Sequence, residues 1–305
     1  MGAGHDHAHG IEDNRKVLWA VLGITLFIFC VEVLGAIVTK SLALFADAGH
    51  MFVDSFGLMM SLFVAYIVQR EATEKHTWGM RRAEVISAMV QALVLIGVGI
   101  YVLVEAVRRM FEPVEMASKE LLIFGCIGLL ANLLSFTILT RSAGENFNIR
   151  AATLEVLNDA LGSMAVIIAA IVIALTGWYQ ADAVVSLIIG AMILPRAFKL
   201  LRETTSVLLE TTPEGLDLTQ VKEHILSQEH VQGVHDIHAS QIDSSMPVLT
   251  AHIVLDNNCF TQEHYAYHLD QLRSCLGEHF SVAVEHTTFQ LETAEFAEKL
   301  CHTHD

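Results

Sequence analysis

Between Glu84 and Ala106 the sequence runs EVISAMVQALVLIGVGIYVLVEA, an almost uninterrupted apolar segment. The hydrocarbon core of a bilayer is about 30 Å thick, and a helix needs about 20 such residues to cross it. No further segment of this kind follows Leu209. The sequence therefore predicts a membrane protein with six transmembrane helices. The other five stretches that predict them are residues 17–38, 42–68, 119–140, 151–177 and 181–201.

The composition excludes several classes of protein. Of the 305 residues, 53% are hydrophobic and 17% are charged, whereas a soluble globular protein carries about 25% charged residues. The 34 Asp and Glu residues outnumber the 18 Lys and Arg residues, which makes a nucleic acid an unsuitable partner. The five cysteines are odd in number and widely spread, which predicts no disulfide framework. The first apolar stretch follows a polar, acidic and His-bearing leader rather than a basic one, and no small-residue cleavage site stands out, so this stretch is expected to remain as a helix and not to be a signal peptide.

The chain is expected to have four segments and a cytoplasmic N-terminus. Lys and Arg are enriched in the cytoplasmic loops of membrane proteins, and nine of these residues would lie inside against four outside, which places both termini in the cytoplasm. The four segments are a His-bearing N-terminal tail (1–15), a transmembrane domain (16–209), a small soluble domain (210–292) and a C-terminal tail (293–305).

The soluble domain has a pattern typical of a small α+β fold. Its helices show a period near 3.6 residues and its strands alternate between apolar and polar side chains. The order of these elements predicts a ferredoxin-like arrangement. The predicted elements are a helix at 217–228, strands at 234–242 and 248–255, a helix at 262–276 and a strand at 282–291.

Ionisable residues are concentrated in two of the apolar stretches, where each costs at least about 2.5 to 3.5 kcal/mol and needs a partner, water or a function. In FADAGHMFVD (45–54), Asp47, His50 and Asp54 are spaced i, i+3 and i+7 and share one face of a helix. In TLEVLND (153–159), Glu155 and Asp159 are four residues apart and also share a face. The spacing predicts two halves of one polar site.

These two halves match the ligands of a metal ion. His50, Asp54, Glu155 and Asp159 offer one imidazole and three carboxylates, a set suited to a four-coordinate divalent cation such as zinc. The alternative is that the groups form interhelical hydrogen bonds to Ser, Thr or Asn, or are protonated inside the bundle. Asp47 is interpreted either as a group that orients His50 or as a proton site.

Several motifs resemble those of the cation diffusion facilitators, a family that includes bacterial zinc exporters. The most specific is SLALFADAGHMFVD (41–54), which is similar to the signature of the family's second helix. The matches run in family order between about residues 15 and 292. The others are TWGMRRAE (77–84), EVLNDALGS (155–163), AD (181–182), LLETTP (208–213), GVHDIH (233–238) and HTTFQLE (286–292).

The resemblance implies a homodimeric exporter that exchanges divalent cations for protons, with six transmembrane helices and a cytoplasmic metal-binding domain of ferredoxin-like type. Its transport site maps onto His50, Asp54, Glu155 and Asp159. Its partners would be divalent metal ions, protons, lipid and a second copy of the chain. It would lie in the inner membrane of a bacterial cell, would not be an enzyme, and would need no cofactor beyond transported and structural zinc.

One position departs from the family pattern, because zinc members usually have His where this chain has Glu155. A carboxylate makes the site harder and more negative, which favours oxygen-loving ions such as Mn²⁺, whereas His50 favours zinc. We therefore expect zinc as the main substrate and cadmium as a second one. The alternative within the family is an exporter of manganese, iron or cobalt.

The soluble domain and the loops contain further candidate metal ligands. His235, His252 and His286 lie on the three predicted strands, where adjacent strands could bring them together, and the resemblance points to the same positions as a zinc site that steadies the dimer. The alternative is that each is solvated or hydrogen-bonded. His76 is interpreted as a relay ligand near the third helix or as a solvated interfacial residue.

Two functions from other classes compete with transport. A membrane metalloenzyme would need a motif such as HExxH or GxSxG, and the sequence contains neither. A metal-sensing membrane receptor would use the histidine-rich domain without transport, but the chain has no recognisable output domain. Transport of a divalent metal is the interpretation that accounts for both the intramembrane ligands and the soluble domain.

Overall fold

The computed structural model describes residues 6–68, 72–141, 147–260, 262–278, 282–284 and 286–300. The chain divides into two compact units. The first combines the residues up to Leu62 with 90–201, and the second combines 63–89 with the residues from Arg202 onward.

All six predicted apolar stretches form helices. Within the described residues, α1, α3, α4, α5 and α6 each contain a segment long and apolar enough to cross a membrane. Helix α1 begins well before residue 17 and so includes part of the His-bearing tail. The helices are α1 (Asp6–Thr39), α2 (Leu42–Val68), α3 (Arg82–Phe111), α4 (Ser118–Arg141), α5 (Phe147–Thr176) and α6 (Gln180–Leu208).

Glycines allow helices of the first unit to approach closely. A Cβ atom at Gly49 of α2 would lie 2.8 Å from Val98 Cγ1 of α3, which is too close for a side chain. A Cβ atom at Gly162 of α5 would lie 3.2 Å from Oδ1 of Asp47. Small residues at such contacts are typical of helix packing in membranes, where backbones must come near each other. At Gly162, helix α5 thereby comes into contact with Asp47 of α2.

The beginning of α2 is held by a carboxylate from another helix. Asp182, in the first turn of α6, is fully buried and accepts hydrogen bonds from Ser41 Oγ at 2.5 Å and from the backbone N–H of Leu42 at 2.8 Å. The first N–H groups of a helix have no partner within the helix. Asp182 therefore satisfies donors that would otherwise be buried without a partner.

We expect Asp182→Ala to destabilise the protein. Each buried donor left without an acceptor costs about 1–3 kcal/mol, and Asp182 serves both Ser41 and Leu42. Thermal unfolding in detergent should show a midpoint lower by roughly 5 °C. Asp182→Asn keeps one acceptor oxygen and should lose less. A native midpoint for the alanine variant would mean that water replaces the carboxylate.

The second unit contains a three-stranded sheet within the described residues. Its strands lie in the order β1-β2-β3, with β1 antiparallel to β2 and β2 parallel to β3. The predicted α-β-β-α-β order is confirmed, although β3 begins later than residue 282 and the tail holds a short helix that was not predicted. The elements are α7 (Leu218–Leu226), β1 (Val231–Gln241), β2 (Pro247–Leu255), α8 (Gln262–Glu278), β3 (His286–Glu292) and α9 (Ala294–Leu300).

The connection between α2 and α3 is tied to the β1–β2 turn inside this second unit. Arg81 Nη1 lies 2.9 Å from Oδ2 of Asp243, and Ser244 Oγ donates to Glu84 at 2.6 Å. Burial alone would raise the pKa of Asp243, but hydrogen bonds from Ser245 and Arg81 outweigh it and hold the pKa below its usual range. The ion pair therefore persists down to acidic pH.

Candidate metal sites

The polar faces of α2 and α5 meet inside the first unit. Asp47 is 4% exposed and lies against Gly162, which is three residues after Asp159 on α5. Asp159 is itself buried, at 9% exposure. His50 is close enough to Glu155 for their charges to interact. We call His50, Asp54, Glu155 and Asp159 the α2–α5 site. The side chain of Asp54 lies outside the described residues, but its backbone continues the same helix.

Further buried polar groups surround this site. Glu32 of α1 is 1% exposed, interacts with Asp47, and lies beside Gly128 of α4. Asn132 of α4 donates a hydrogen bond to Ser163 of α5 at 3.4 Å. Among the described residues, one oxygen of Glu32 and one of Asp47 make no hydrogen bond. The bundle therefore contains more carboxylates near α2 and α5 than the two predicted half-sites account for.

A positive charge that the sequence analysis did not single out lies at one edge of the α2–α5 site. Arg196 Nη2 of α6 is 3.2 Å from Oε1 of Glu155. The signal was present in the sequence, because this arginine interrupts the apolar stretch 181–201. Its partner was not predictable from spacing, since the two residues are far apart in the chain.

A second candidate site lies on the sheet of the C-terminal unit. His235 of β1, His252 of β2 and Glu292 of β3 each offer a ligand atom, and these atoms all lie within 4.8 Å of one another. We call these three residues the C-terminal cluster. His235 Nε2 is 3.4 Å from Oε2 of Glu292, and His252 Nδ1 contacts Oε1 of the same carboxylate. In the described part of the chain, no other three His, Cys, Asp or Glu residues form such a group, so the described side chains of the α2–α5 site, His50, Glu155 and Asp159, are not brought within this distance of one another.

The sheet register explains how the C-terminal cluster forms. His235 pairs directly with His252 across the antiparallel β1–β2 ladder, and their ring centroids are 5.1 Å apart. His252 pairs with Gln290 in the parallel β2–β3 ladder. Glu292 is two residues beyond Gln290, so that it lies on the same face of the sheet, because side chains alternate between faces. Three consecutive strands thus each contribute one ligand.

His286 is not part of this cluster, which corrects the predicted set in one member. It pairs with Val248, four residues before the position opposite His252. Four residues of a strand span about 13 Å, so His286 cannot reach the other two histidines. Its ring packs instead against Trp78, with centroids 4.7 Å apart. Glu292 takes the third position.

The atoms of the C-terminal cluster suit a metal ion. Glu292 has a side chain that is 1% exposed, and a buried carboxylate needs a compensating charge or hydrogen bonds. Gln290 donates a hydrogen bond to Glu292 Oε1 at 2.8 Å. Apart from their contacts with one another, His235 Nε2, His252 Nδ1 and Glu292 Oε2 are buried without a hydrogen-bond partner among the described residues. Two imidazoles and one carboxylate fit zinc, with a fourth position left for another ligand.

His76 lies neither in the third helix nor in a metal-ligand group. It belongs to the turn-rich segment between α2 and α3, where its backbone pairs with Thr73 and its side chain is exposed. The interpretation as a solvated residue therefore accounts for what the structure describes. The sequence also offers candidate metal ligands in the two tails, and of these His5 of the N-terminal tail and Cys301, His302 and His304 of the C-terminal tail lie outside the described residues.

Comparison with known proteins covers nearly the whole chain. Residues 18–209 match the family model described as the cation efflux transmembrane domain, and residues 213–294 match the one described as the cation efflux protein, cytoplasmic domain. The metal cation efflux system protein CzcD of Cupriavidus metallidurans is 38% identical, over 96% of this chain and 91% of its own length.

Two further relatives cover the chain to a similar extent. The zinc transporter ZitB of Escherichia coli is 35% identical, over 100% of this chain and 97% of its own length. The cadmium, cobalt and zinc/H(+)-K(+) antiporter of Bacillus subtilis is 33% identical, over 99% of this chain and 94% of its own length. The similarity therefore includes both units.

Proposed function

The chain belongs to the cation diffusion facilitator family, and on that premise we propose that it exports zinc from the cytoplasm in exchange for protons. The cation would bind between α2 and α5, with His50, Asp54, Glu155 and Asp159 as ligands. The observation that carries this proposal is the meeting of the two polar helix faces inside the membrane unit, at the contact between Asp47 and Gly162.

The chain is a multi-pass membrane protein that forms homodimers and transports divalent metal cations. The protein would lie in the inner membrane of a bacterial cell, with both termini on the cytoplasmic side. The relatives described above are named for zinc, cadmium and cobalt. We propose zinc as the main substrate and cadmium as a second one, because a four-ligand site with an imidazole suits both better than it suits oxygen-loving ions such as Mn²⁺.

Manganese is the alternative substrate, and Glu155 is the residue that favours it. A site with three carboxylates is harder than one with two, and hard ligands raise the relative affinity for Mn²⁺. Glu155→His should therefore lower the ratio of manganese to zinc flux. An unchanged ratio would mean that Glu155 does not contact the transported ion.

Exchange with protons follows from the chemistry of the ligands. A metal ion binds neutral imidazole and ionised carboxylates, so that binding displaces protons from the same atoms. A site open to the cytoplasm would release protons as it takes up zinc. After the helices rearrange to open the site to the outside, incoming protons would displace the metal.

The test is zinc uptake into proteoliposomes with an imposed pH gradient and a clamped membrane potential. Each pH unit supplies about 1.4 kcal/mol per proton exchanged, so that flux should rise with the gradient and stop when an ionophore removes it. Cd²⁺, Co²⁺, Fe²⁺ and Mn²⁺ are measured in parallel. Zinc flux that does not change with the pH gradient would contradict proton exchange. The absence of flux for every metal would favour the alternative function, a metal-sensing membrane receptor.

The C-terminal cluster would hold a structural zinc ion. His235, His252 and Glu292 come from three strands, so that one bound ion would cross-link the whole described sheet. Structural zinc sites contribute folding energy directly. This ion would be separate from the transported one, since its ligands lie in the cytoplasmic domain.

A further inference from the structure

Arg196 occupies a costly position in the transmembrane unit. It follows Pro195 in the sequence MILPRAF (192–198), with apolar residues on both sides. Charged side chains within membrane helices are rare because they lose their hydration, and those that occur pair with an opposite charge or mark a functional site. The position therefore calls for a specific partner.

Glu155 is that partner. Arg196 Nη2 lies 3.2 Å from Oε1 of Glu155. Arg196 is also close enough to His50 of α2 for the two side chains to interact electrostatically. Arg196 on α6 thus lies next to members of the α2–α5 site on two other helices. The described contact engages one oxygen of Glu155.

The charges of the site show why this contact matters. With His50 neutral, the three carboxylates of the α2–α5 site carry three negative charges, and a divalent cation cancels two of them. The Arg196 guanidinium offsets the third charge of this four-ligand set. Because the side chains of Arg196 and Glu155 are 55% and 37% exposed, the energy of this compensation is modest. The main effect of the contact is therefore on how Glu155 can bind a metal.

The contact also limits how Glu155 can bind a metal. An oxygen that accepts a hydrogen bond from guanidinium is a weaker metal ligand, so that Glu155 has one unrestricted oxygen to offer. Zinc binds four ligands in tetrahedral sites, whereas Mn²⁺ prefers six oxygens in octahedral geometry. A carboxylate restricted to one oxygen lowers the ligand number and favours the tetrahedral ion.

We propose that Arg196 is a specificity-determining residue that holds Glu155 as a one-oxygen, charge-compensated ligand and so favours zinc over manganese. This inference rests on the proposed transport function and on Glu155 as a ligand. Arg196 acts through Glu155 and does not itself touch the transported ion. Its removal frees the second oxygen, which raises the number of oxygen ligands available and so favours Mn²⁺.

The test compares the ratio of Mn²⁺ to Zn²⁺ flux in proteoliposomes for the native protein, Arg196→Gln, Arg196→Lys and Arg202→Gln. Loss of a group that supports a metal ligand changes affinity about 10- to 100-fold, so we expect Arg196→Gln to raise the ratio roughly tenfold. Arg196→Lys keeps the positive charge and should stay near the native ratio. Arg202 is an exposed arginine of the same helix, and its replacement should leave the ratio unchanged.

A second pair of variants separates specificity from structure. With Glu155→Gln as background, Arg196→Gln should change the flux ratio by less than about twofold, because the carboxylate on which Arg196 acts is gone. An equal change with and without the carboxylate would overturn the proposal. So would an Arg196→Gln variant that folds and transports with the native ratio.

Two outcomes keep this inference distinct from the proposed function. If the native protein moves neither metal, the transport proposal fails before Arg196 is tested. If only Arg196→Gln loses all flux, specificity is measured as binding instead of transport. The ratio of Mn²⁺ to Zn²⁺ bound is determined by competition dialysis of the detergent-solubilised protein. The protein also carries Glu292→Gln, which removes the C-terminal cluster as a competing site. An unchanged binding ratio there would overturn the inference while leaving the transport function intact.

Discussion

Replacing Asp159 by alanine should abolish metal efflux. Asp159 shares a face of α5 with Gly162, which lies against Asp47 of α2, and only 9% of its surface is exposed. Alanine removes one of the four proposed ligands and supplies no ligand atom in its place. Loss of a direct ligand should exceed the effect of losing a supporting group, so that zinc flux should fall by more than about 100-fold. Flux of radioactive zinc into proteoliposomes measures this directly.

Two variants control the Asp159→Ala measurement. Asp159→Asn has nearly the same volume but no charge, and should lose flux to a similar extent if the carboxylate is a ligand. Glu120→Gln removes an exposed carboxylate in the first turn of α4 and should transport normally. Because the C-terminal cluster lies in the other unit, Asp159→Ala should still bind metal there. An alanine variant with native flux would remove Asp159 from the proposed site.

Replacing Glu292 by glutamine should abolish metal binding by the cytoplasmic domain. The side chain is buried between His235 and His252, and its carboxylate is the charged member of the C-terminal cluster. Glutamine keeps the shape but removes the negative charge and one good ligand. We expect affinity for zinc to fall by more than about 100-fold, again beyond the effect of a supporting group.

The measurement is the amount of zinc bound per protomer in equilibrium dialysis of the full-length protein, with Asp159→Ala present so that the membrane site does not contribute. His252→Ala should have the same effect as Glu292→Gln. His286→Ala provides the matched control, since His286 packs on Trp78 and should leave binding unchanged. Loss of zinc in His286→Ala with retention in Glu292→Gln would mean that the strands adopt another register when metal binds.

The positions of the membrane helices could be predicted from the sequence because they depend on local properties. The stretch 42–68 coincides with α2, and the other five stretches also form helices, because a long apolar run satisfies its backbone hydrogen bonds within itself. The helical period places His50 near Asp47, and Glu155 near Asp159, on shared faces whatever the helices pack against. The two halves of the α2–α5 site were therefore visible in the spacing.

The short helix α9 could not be predicted from the sequence, because its formation does not depend on local properties alone. Residues 294–300 show no strong apolar period, and an isolated helix of this length is unstable in water. Burial of Ala297 within the folded protein accompanies its formation. Its helix is a consequence of tertiary packing.

The sequence by itself determined the membrane class, the two polar helix faces and the order of helices and strands along the chain, since these depend on hydrophobicity and on spacing within single elements. The tertiary structure decided three further features. Glu292 and not His286 joins His235 and His252 in the C-terminal cluster, Arg196 forms an ion pair with Glu155, and Asp182 accepts hydrogen bonds from the beginning of α2. Each joins residues from different elements. A strand register or an ion pair between helices far apart in the sequence depends on how the elements pack. The spacing of residues along the chain does not give the distance between residues of different elements.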